Sequence, residues 1–176
     1  MIRLHTIGVR VYYEDTDAGG IVYYANYLRF FERARTDWLR AAGISQQQLA
    51  DSEGLNLVVR DCSVQYLRPA RLDDLVQVEV NLATPQTDIG RASVRMTQRA
   101  LLVDEAAERI GPERVLATGT VRVACLDRRS GRPVALPLRI LQLLAEQVAK
   151  GSTELAGSLS PQDDTRAMTD GIAEQQ

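Results

Sequence analysis

Residues 11–27 read VYYEDTDAGGIVYYANY and join two different periodicities. Ahead of the aspartates, apolar and polar residues alternate from Val9 to Tyr13, which predicts a short strand. After them, large apolar side chains recur at spacings of three and four residues, as on a buried helix face: Tyr27, Phe30, Phe31, Ala34, Trp38 and Ala41. Gly43 is typical of the residue just beyond a helix. The stretch therefore predicts a strand, a turn and a central helix near residues 22–42, with its tyrosines in the core or a pocket wall.

Four later segments alternate apolar and polar residues, as strands of an antiparallel sheet with one packed face do. They cover residues 55–67, 76–82, 93–99 and 115–125. A final helix is predicted to open at Pro137 and to end before Gly151. The order of strand, buried helix, four strands and helix predicts an α+β fold with the first helix packed on one face of the sheet.

The length of 176 residues suits one domain. We assign this domain to residues 1–150. Residues 151–176 are rich in Ser, Thr, Gly, Gln and Asp and have no periodicity, so they are predicted to form a largely disordered C-terminal tail.

Composition argues against several functional classes. The net charge of -2 and the pI of about 5.5 argue against a nucleic-acid-binding surface. No apolar run approaches the roughly 20 residues of a membrane span, and the N-terminus has no signal-peptide pattern, so a cytoplasmic protein is predicted. His5 is the single histidine and is interpreted as an exposed terminal residue. Cys62 and Cys125 are interpreted as buried thiols on strands, and no metal site or other cofactor is predicted.

Asp15 and Asp17 lie two residues apart, directly before Gly19, Gly20 and the predicted helix. The first turn of a helix carries unsatisfied N–H groups and partial positive charge, which can stabilise an oxyanion. A carboxylate beside those donors could attack a carbonyl or activate water against it. Asp and Gly are also common turn residues, so this spacing alone leaves a purely structural role open.

The whole segment from Val11 to Arg35, together with YLRPARLDD at residues 66–74, resembles the hotdog-fold thioesterases of the 4-hydroxybenzoyl-CoA thioesterase superfamily. Within it, the sequence looks most like the Tol-Pal system-associated acyl-CoA thioesterase family. The resemblance runs from about Val9 to Val148. It implies a hotdog fold, in which an antiparallel sheet of about five strands wraps around the central helix. It also implies a homo-oligomer, a dimer or a homotetramer, with the active site at the dimer interface.

The same resemblance implies roles for particular residues. Asp17, rather than Asp15, would be the catalytic carboxylate, and the backbone N–H of Tyr24 would polarise the thioester carbonyl. Many family members have histidine at the position of Tyr24, so a mechanism that needs an imidazole there is in doubt. Gly20 would allow the substrate to approach the backbone closely. Coenzyme A phosphates would be bound at a subunit boundary by surface arginines, for which the candidates are Arg91, Arg128 and Arg129.

The predicted reaction is hydrolysis of an acyl-coenzyme A thioester to a carboxylic acid and free CoA. Asp17 would act either as a nucleophile or as a general base, and the sequence leaves both open. An acyl carrier protein is an alternative carrier of the acyl group. A hydroxyacyl dehydratase is disfavoured because its catalytic histidine has no counterpart here: His5 precedes the predicted fold. The remaining alternative is a non-catalytic module that binds acyl-CoA or acyl carrier protein.

Overall fold

One antiparallel sheet of five strands, in the order β1-β3-β4-β5-β2, forms the frame of the computed structural model, which describes residues 1–103 and 114–157. The strands are β1 (Ile2–Arg10), β2 (Leu55–Tyr66), β3 (Leu75–Leu82), β4 (Ser93–Leu102) and β5 (Val115–Asp127). All four strand pairings are antiparallel. The predicted five-stranded antiparallel sheet is therefore confirmed, and β1 and β2 are its two edges.

In the described residues four α-helices accompany the sheet: α1 (Asn26–Ala41), α2 (Gln46–Ser52), α3 (Pro85–Asp88) and α4 (Leu138–Gly157). Helix α1 carries the central apolar face that the sequence predicts, and it contacts β1, β3 and β4. Its first residue is Asn26, and Gly43 follows it with a φ of 73°, a conformation that favours glycine. No helix within residues 1–103 and 114–157 is both long and apolar enough to cross a membrane.

The core lies between α1 and the inner face of the sheet. Along β3, Val76, Val78, Val80 and Leu82 are all 0% exposed and point toward α1. Phe30 and Ala34 meet them from the helix and are also 0% exposed. Complete burial of an aliphatic or aromatic side chain contributes about 1.5–3 kcal/mol. This strip therefore fixes α1 on the sheet and, with it, the position of the helix N-terminus.

Gly119 on β5 lies directly against Phe31 of α1. A Cβ atom added at Gly119 would stand 2.8 Å from Cε2 of Phe31, closer than carbon atoms pack. Phe31 is 2% exposed and cannot move outward without opening the core. The glycine thus allows α1 to approach the sheet closely at this point.

We expect Gly119→Ala to lower the free energy of unfolding by about 1–3 kcal/mol, because the new methyl group overpacks the contact with Phe31. Gly8→Ala is the matched control in β1, where an added Cβ would meet Leu75 at an ordinary 3.6 Å. The control should change stability by no more than about 0.5 kcal/mol. Urea unfolding of the two variants measures the difference, and equal midpoints would contradict the prediction.

Strand β1 begins at Ile2, well before the predicted start at Val9, and it ends at Arg10. A bulge shifts its register between Arg3 and His5. The prediction that His5 is an exposed terminal residue is wrong: His5 lies inside β1, with its Nε2 2.9 Å from Oδ2 of Asp37 on α1. This hydrogen bond is the main cause that lowers the pKa of Asp37.

The final helix also differs from its predicted extent. Helix α4 continues through Gly151 to Gly157, so the prediction that it ends before Gly151 is wrong. Helix α4 contacts α1 and β1 through Gln147. This side chain accepts a hydrogen bond from Nε1 of Trp38 and donates one to the carbonyl oxygen of Leu4. The rest of the predicted tail, residues 158–176, lies outside the described residues, and the division of the chain at residue 150 stays a prediction.

Candidate active site

The loop between β1 and α1 is anchored by Asp15, which is 5% exposed. Its carboxylate Oδ2 accepts a hydrogen bond from the backbone N–H of Tyr12 at 3.0 Å. Its carbonyl oxygen accepts two more, from the side-chain amide of Asn26 at 2.9 Å and from the backbone N–H of Tyr23 at 2.8 Å. Asp15 therefore ties the loop to the first turn of α1, which agrees with a structural role for this aspartate.

Asp17 is exposed at the tip of the same loop. Its Oδ1 accepts a hydrogen bond from the backbone N–H of Gly19 at 2.8 Å, and its carbonyl oxygen accepts one from Gly20 at 3.0 Å. Gly20 has a φ of 71°, and nothing lies within 4 Å of the place where its Cβ would be. Among the described residues, Oδ2 of Asp17 has no hydrogen-bond donor. One carboxylate oxygen of this exposed side chain is thus held in place, and the other is not.

Two tyrosines connect Asp17 with the start of α1. The rings of Tyr23 and Tyr24 lie 4.6 Å apart between centroids. The hydroxyl of Tyr24, through a hydrogen bond, is the largest cause of the raised pKa of Tyr23, and the carboxylate of Asp17 also raises that pKa. Asp17 is therefore close enough to Tyr23 to act on it electrostatically. In the part of the chain that the structure describes, the backbone N–H of Tyr24 donates no hydrogen bond.

The tyrosines of the loop are mostly surface residues, which corrects the sequence interpretation. Tyr27 alone is buried among them, and burial is the main cause of its raised pKa. The others are 62%, 81%, 42% and 58% exposed: Tyr12, Tyr13, Tyr23 and Tyr24. Tyr66, from the end of β2, lies 6.0 Å from Tyr24 and 5.8 Å from Tyr27 between ring centroids. Tyr24 and Tyr66 form one exposed aromatic wall beside the N-terminus of α1.

The three arginines predicted to bind coenzyme A lie at the opposite end of the sheet. Arg128 donates its backbone N–H to Gly54, just before β2, whereas the aromatic wall is at the far end of β2. Twelve residues separate these ends inclusively, which corresponds to roughly 35 Å at about 3.3 Å per residue. Arg91 lies at the same end as Arg128. It comes just before Ser93, the first residue of β4, and Ser93 pairs with Ala124 near the end of β5. Within one chain, these arginines and Asp17 do not form a common site.

The arginines also differ from one another in their contacts. Nη1 of Arg128 lies 3.1 Å from Oδ1 of Asp51 on α2, and hydrogen bonds from Gln47 and then from Arg128 lower the pKa of Asp51. Arg91 and Arg129 are exposed, and no salt bridge among the described residues includes either of them. Arg128 therefore has a structural partner, and Arg129 acts on the neighbouring carboxylate of Asp127 through its backbone N–H and its charge. Arg91 is the most readily available of the three to a ligand.

Two residues near Asp17 are not identified as site residues from the sequence. Tyr66 completes the aromatic wall, and Arg71 pairs through its backbone with Ile21 in an isolated bridge next to the loop. Both belong to the stretch YLRPARLDD, so the second motif of the resemblance marks the segment that packs against the first. In residues 1–103 and 114–157, no group of three or more His, Cys, Asp or Glu residues could hold a metal ion.

An apolar cavity of about 210 Å³ opens between α1 and the edge strand β2. It lies farther along α1 than Tyr24. Its lining includes Leu28, Phe31, Val59, Cys62, Val64 and Gln98. The interpretation of Cys62 as a buried thiol is wrong, because it is exposed on this open side of the sheet, whereas Cys125 is buried as predicted.

Comparisons of the sequence and of the structure with known proteins all lead to thioesterases. Residues 11–147 match the family model of the thioesterase-like superfamily. The chain is 42% identical to acyl-CoA thioesterase YbgC of Haemophilus influenzae over 132 residues. This alignment covers 75% of this chain and 88% of that protein.

Among solved structures, the probable thioesterase from Bartonella henselae is 32% identical, with a TM-score of 0.60 over 78% of this chain and 100% of that one. A thioesterase from Thermus thermophilus, complexed with coenzyme A and Zn, is 26% identical, with a TM-score of 0.64 over 84% of this chain and 96% of that one. These likenesses confirm the hotdog fold.

Proposed function

The chain belongs to the thioesterase-like superfamily, and from this premise we propose that it is an acyl-CoA thioesterase with Asp17 as its catalytic carboxylate. The observation that carries the proposal is the geometry of Asp17: one carboxylate oxygen is fixed by Gly19, and the other has no donor among the described residues. Such a carboxylate keeps a lone pair available for a substrate. The name of the Haemophilus influenzae relative supplies the substrate class.

In the proposed reaction, the acyl carbonyl carbon gains an oxygen and loses the sulfur of coenzyme A. As a nucleophile, Asp17 would form a mixed anhydride and release the thiolate, after which water would hydrolyse the anhydride and regenerate the carboxylate. As a general base, Asp17 would take a proton from water while the water oxygen attacks the carbonyl carbon. The C–S bond would then break, and the proton would pass to the departing thiolate of CoA. Both routes give a carboxylic acid and free CoA. Incorporation of labelled oxygen from water into Asp17 after a single turnover distinguishes them in favour of the nucleophile.

The negative charge on the carbonyl oxygen would be stabilised by the backbone N–H of Tyr24. This donor has no partner among the described residues and stands at the positive end of α1. An oxyanion hole of this kind typically contributes about 2.7–4 kcal/mol per donor. The side chain of Tyr24 has no part in this step, so the departure from histidine at this position does not affect it.

We propose that the active unit is a dimer formed at β2, within a dimer or homotetramer. Strand β2 is an edge strand, and the exposed apolar residues collect on its side of the molecule: Tyr24, Leu28, Val59, Tyr66 and Leu67. A concentration of apolar residues at an exposed surface favours a protein interface. A two-fold axis perpendicular to the sheet would pair β2 with its copy in the antiparallel sense.

This arrangement explains the distance between the arginines and Asp17. Antiparallel pairing places the partner's beginning of β2 beside this chain's end of β2. The arginines of one copy (Arg91, Arg128 and Arg129) would then approach Asp17 of the other. They would meet the phosphates of coenzyme A, while the acyl group enters between α1 and β2. An acyl carrier protein, whose acyl group is joined through the same kind of phosphopantetheine arm, is the alternative carrier. A cytoplasmic location agrees with a coenzyme A thioester as the substrate.

A thiol-release assay over short, long and aromatic acyl-CoAs tests the proposed function. Wild-type protein should release CoA from at least one class of thioester. Binding without release from any acyl-CoA or acyl carrier protein would instead favour the alternative of a non-catalytic binding module.

A further inference from the structure

Arg35 of α1 is a half-buried cation at the far end of the apolar cavity. Its Nη1 donates a hydrogen bond to Oε1 of Gln98 on β4 at 2.7 Å. Gln98 is 1% exposed and is itself fixed, because its amide donates to the carbonyl oxygen of Phe31 at 2.9 Å. The guanidinium is therefore held in one place by a buried amide that belongs to the core.

No salt bridge among the described residues includes Arg35. Glu32 is the carboxylate that acts on it most strongly, and Oε1 of Glu32 accepts a hydrogen bond from Thr36 at 2.6 Å. Burial lowers the pKa of Arg35 and outweighs the opposing effect of the Glu32 carboxylate. A cation removed from water is stable only when it is paired, so the geometry favours an anion that arrives with a ligand.

The space around the guanidinium can take such a ligand. Arg35 lines the cavity of about 210 Å³ between α1 and β2, and it also lines a neighbouring one of about 110 Å³ between α1 and the sheet. Val59 is shared by both linings. The walls are otherwise mainly aliphatic or aromatic, with Leu28 and Phe31 from α1 and Val64 from β2. Glu32 also lines the smaller cavity, so the larger one, which no carboxylate of the described residues lines, is the one that suits an anion. A long apolar group that ends in an anion matches this distribution.

The cavity also lies in line with the proposed catalytic groups. Tyr24, Leu28, Phe31 and Arg35 follow one another at spacings of four, three and four residues, so they share one face of α1 and its entry turn. The eleven residues from Tyr24 to Arg35 correspond to roughly 16 Å along the helix axis. The guanidinium itself lies nearer to Tyr24 than this, because it bonds to Gln98, whose amide donates to the carbonyl oxygen of Phe31. An acyl chain of about eight to ten carbons, with its carbonyl oxygen at the Tyr24 N–H, would pass Leu28 and reach the guanidinium.

We propose that Arg35 recognises the far end of the acyl group, and that the preferred substrates are medium-length acyl thioesters that end in a carboxylate. This inference rests on the proposed thioesterase function. A guanidinium and a carboxylate form a charge-assisted, two-pronged hydrogen bond. An acyl chain that ends in a methyl group leaves the half-buried cation without a partner, and an unpaired polar group of this kind is a strong source of discrimination.

The test compares pairs of thioesters of equal length that differ only at the far end: octanoyl-CoA with suberoyl-CoA, and decanoyl-CoA with sebacoyl-CoA. Wild-type protein should prefer the carboxylate-ended member in kcat/KM by at least about tenfold. Arg35→Met keeps a long unbranched side chain but removes the charge, and should bring the ratio to one or below. Arg35→Lys should retain part of the preference.

Arg33→Met is the matched control on the same helix. Arg33 is exposed and its guanidinium lies 5.9 Å from the centroid of the Phe30 ring, away from the cavity lining. This variant should keep the wild-type ratio. The ratio is informative because a purely structural role of Arg35 would lower kcat/KM for both members of a pair alike.

The outcomes separate the inference from the proposed function. Turnover of both members with a ratio that Arg35→Met leaves unchanged overturns the role of Arg35 and leaves the thioesterase function intact. If Arg35→Met keeps the ratio but dissociates into monomers, Arg35 stabilises a contact between copies of the chain. That result also overturns the proposed role of Arg35 in substrate recognition. If wild-type protein hydrolyses none of these thioesters, the proposed function fails for them, and the ratio of binding affinities for suberoyl-CoA and octanoyl-CoA, measured by calorimetry, decides the role of Arg35 by the same criterion.

Discussion

Asp17→Asn should lower kcat for thiol release by at least about 100-fold, the lower end of what a catalytic acid–base group contributes. The amide oxygen of asparagine can still accept the hydrogen bond that the backbone N–H of Gly19 donates to the wild-type carboxylate. The loop should therefore keep its shape, while the carboxylate that is proposed to attack the carbonyl carbon or to deprotonate water is lost. Thiol release under substrate saturation, together with the thermal unfolding midpoint, measures the two effects separately.

Two neighbouring acidic residues provide controls for this variant. Glu14→Gln changes an exposed carboxylate in the same loop and should leave both activity and stability near wild type. Asp15→Asn should lose less activity than Asp17→Asn, because the carboxylate of Asp15 is occupied by the backbone N–H of Tyr12. Equal rates for wild type and Asp17→Asn would remove Asp17 from the mechanism.

A mixture of two impaired variants should recover activity if the site is shared between copies of the chain. The first variant is Asp17→Asn, and the second is Arg91→Ser/Arg129→Ser. At limiting acyl-CoA, the rate of thiol release by the second variant should fall at least about tenfold. Each 1.4 kcal/mol of lost binding energy lowers the affinity for acyl-CoA about tenfold. In a dimer that combines the two, one site receives Asp17 and the arginines intact.

The expected recovery follows from the symmetry of the dimer. Random assortment during co-refolding makes half of the dimers mixed, each with one intact site of two, so about a quarter of wild-type activity should return. The control mixes Asp17→Asn with the triple variant that carries all three substitutions, and it should remain inactive. Activity no greater than the average of the separate variants would mean that coenzyme A is bound by another surface.

The parts of the fold that the sequence predicts well are those in which one face is fully packed. Strand β3 and helix α1 show regular apolar spacing because each packs one face against the core. The apolar pattern misses the first half of β1 for a physical reason. Buried residues Ile2 and Leu4 are out of step with Val9, because the bulge between Arg3 and His5 shifts the alternation by one residue.

The candidate site is predicted unevenly for a related reason. Asp17 and the N–H of Tyr24 belong to one continuous loop and helix, so a motif can specify them together. The distance between Asp17 and Arg128 depends on which end of the sheet each residue reaches, and local spacing does not determine that. The alternation in β2 predicts a packed face for Cys62, but β2 is an edge strand and its inner face is open in a single copy.

The two edges of the sheet differ in a way that limits aggregation. In the proposed dimer, strand β2 pairs along its length with a copy of itself, and the remaining edges of the joined sheet are the two β1 strands. Strand β1 carries a bulge between Arg3 and His5 and a further exposed cation at Arg10. Bulges and charges hinder the addition of another strand. Growth would therefore stop at a closed pair instead of continuing into a fibre.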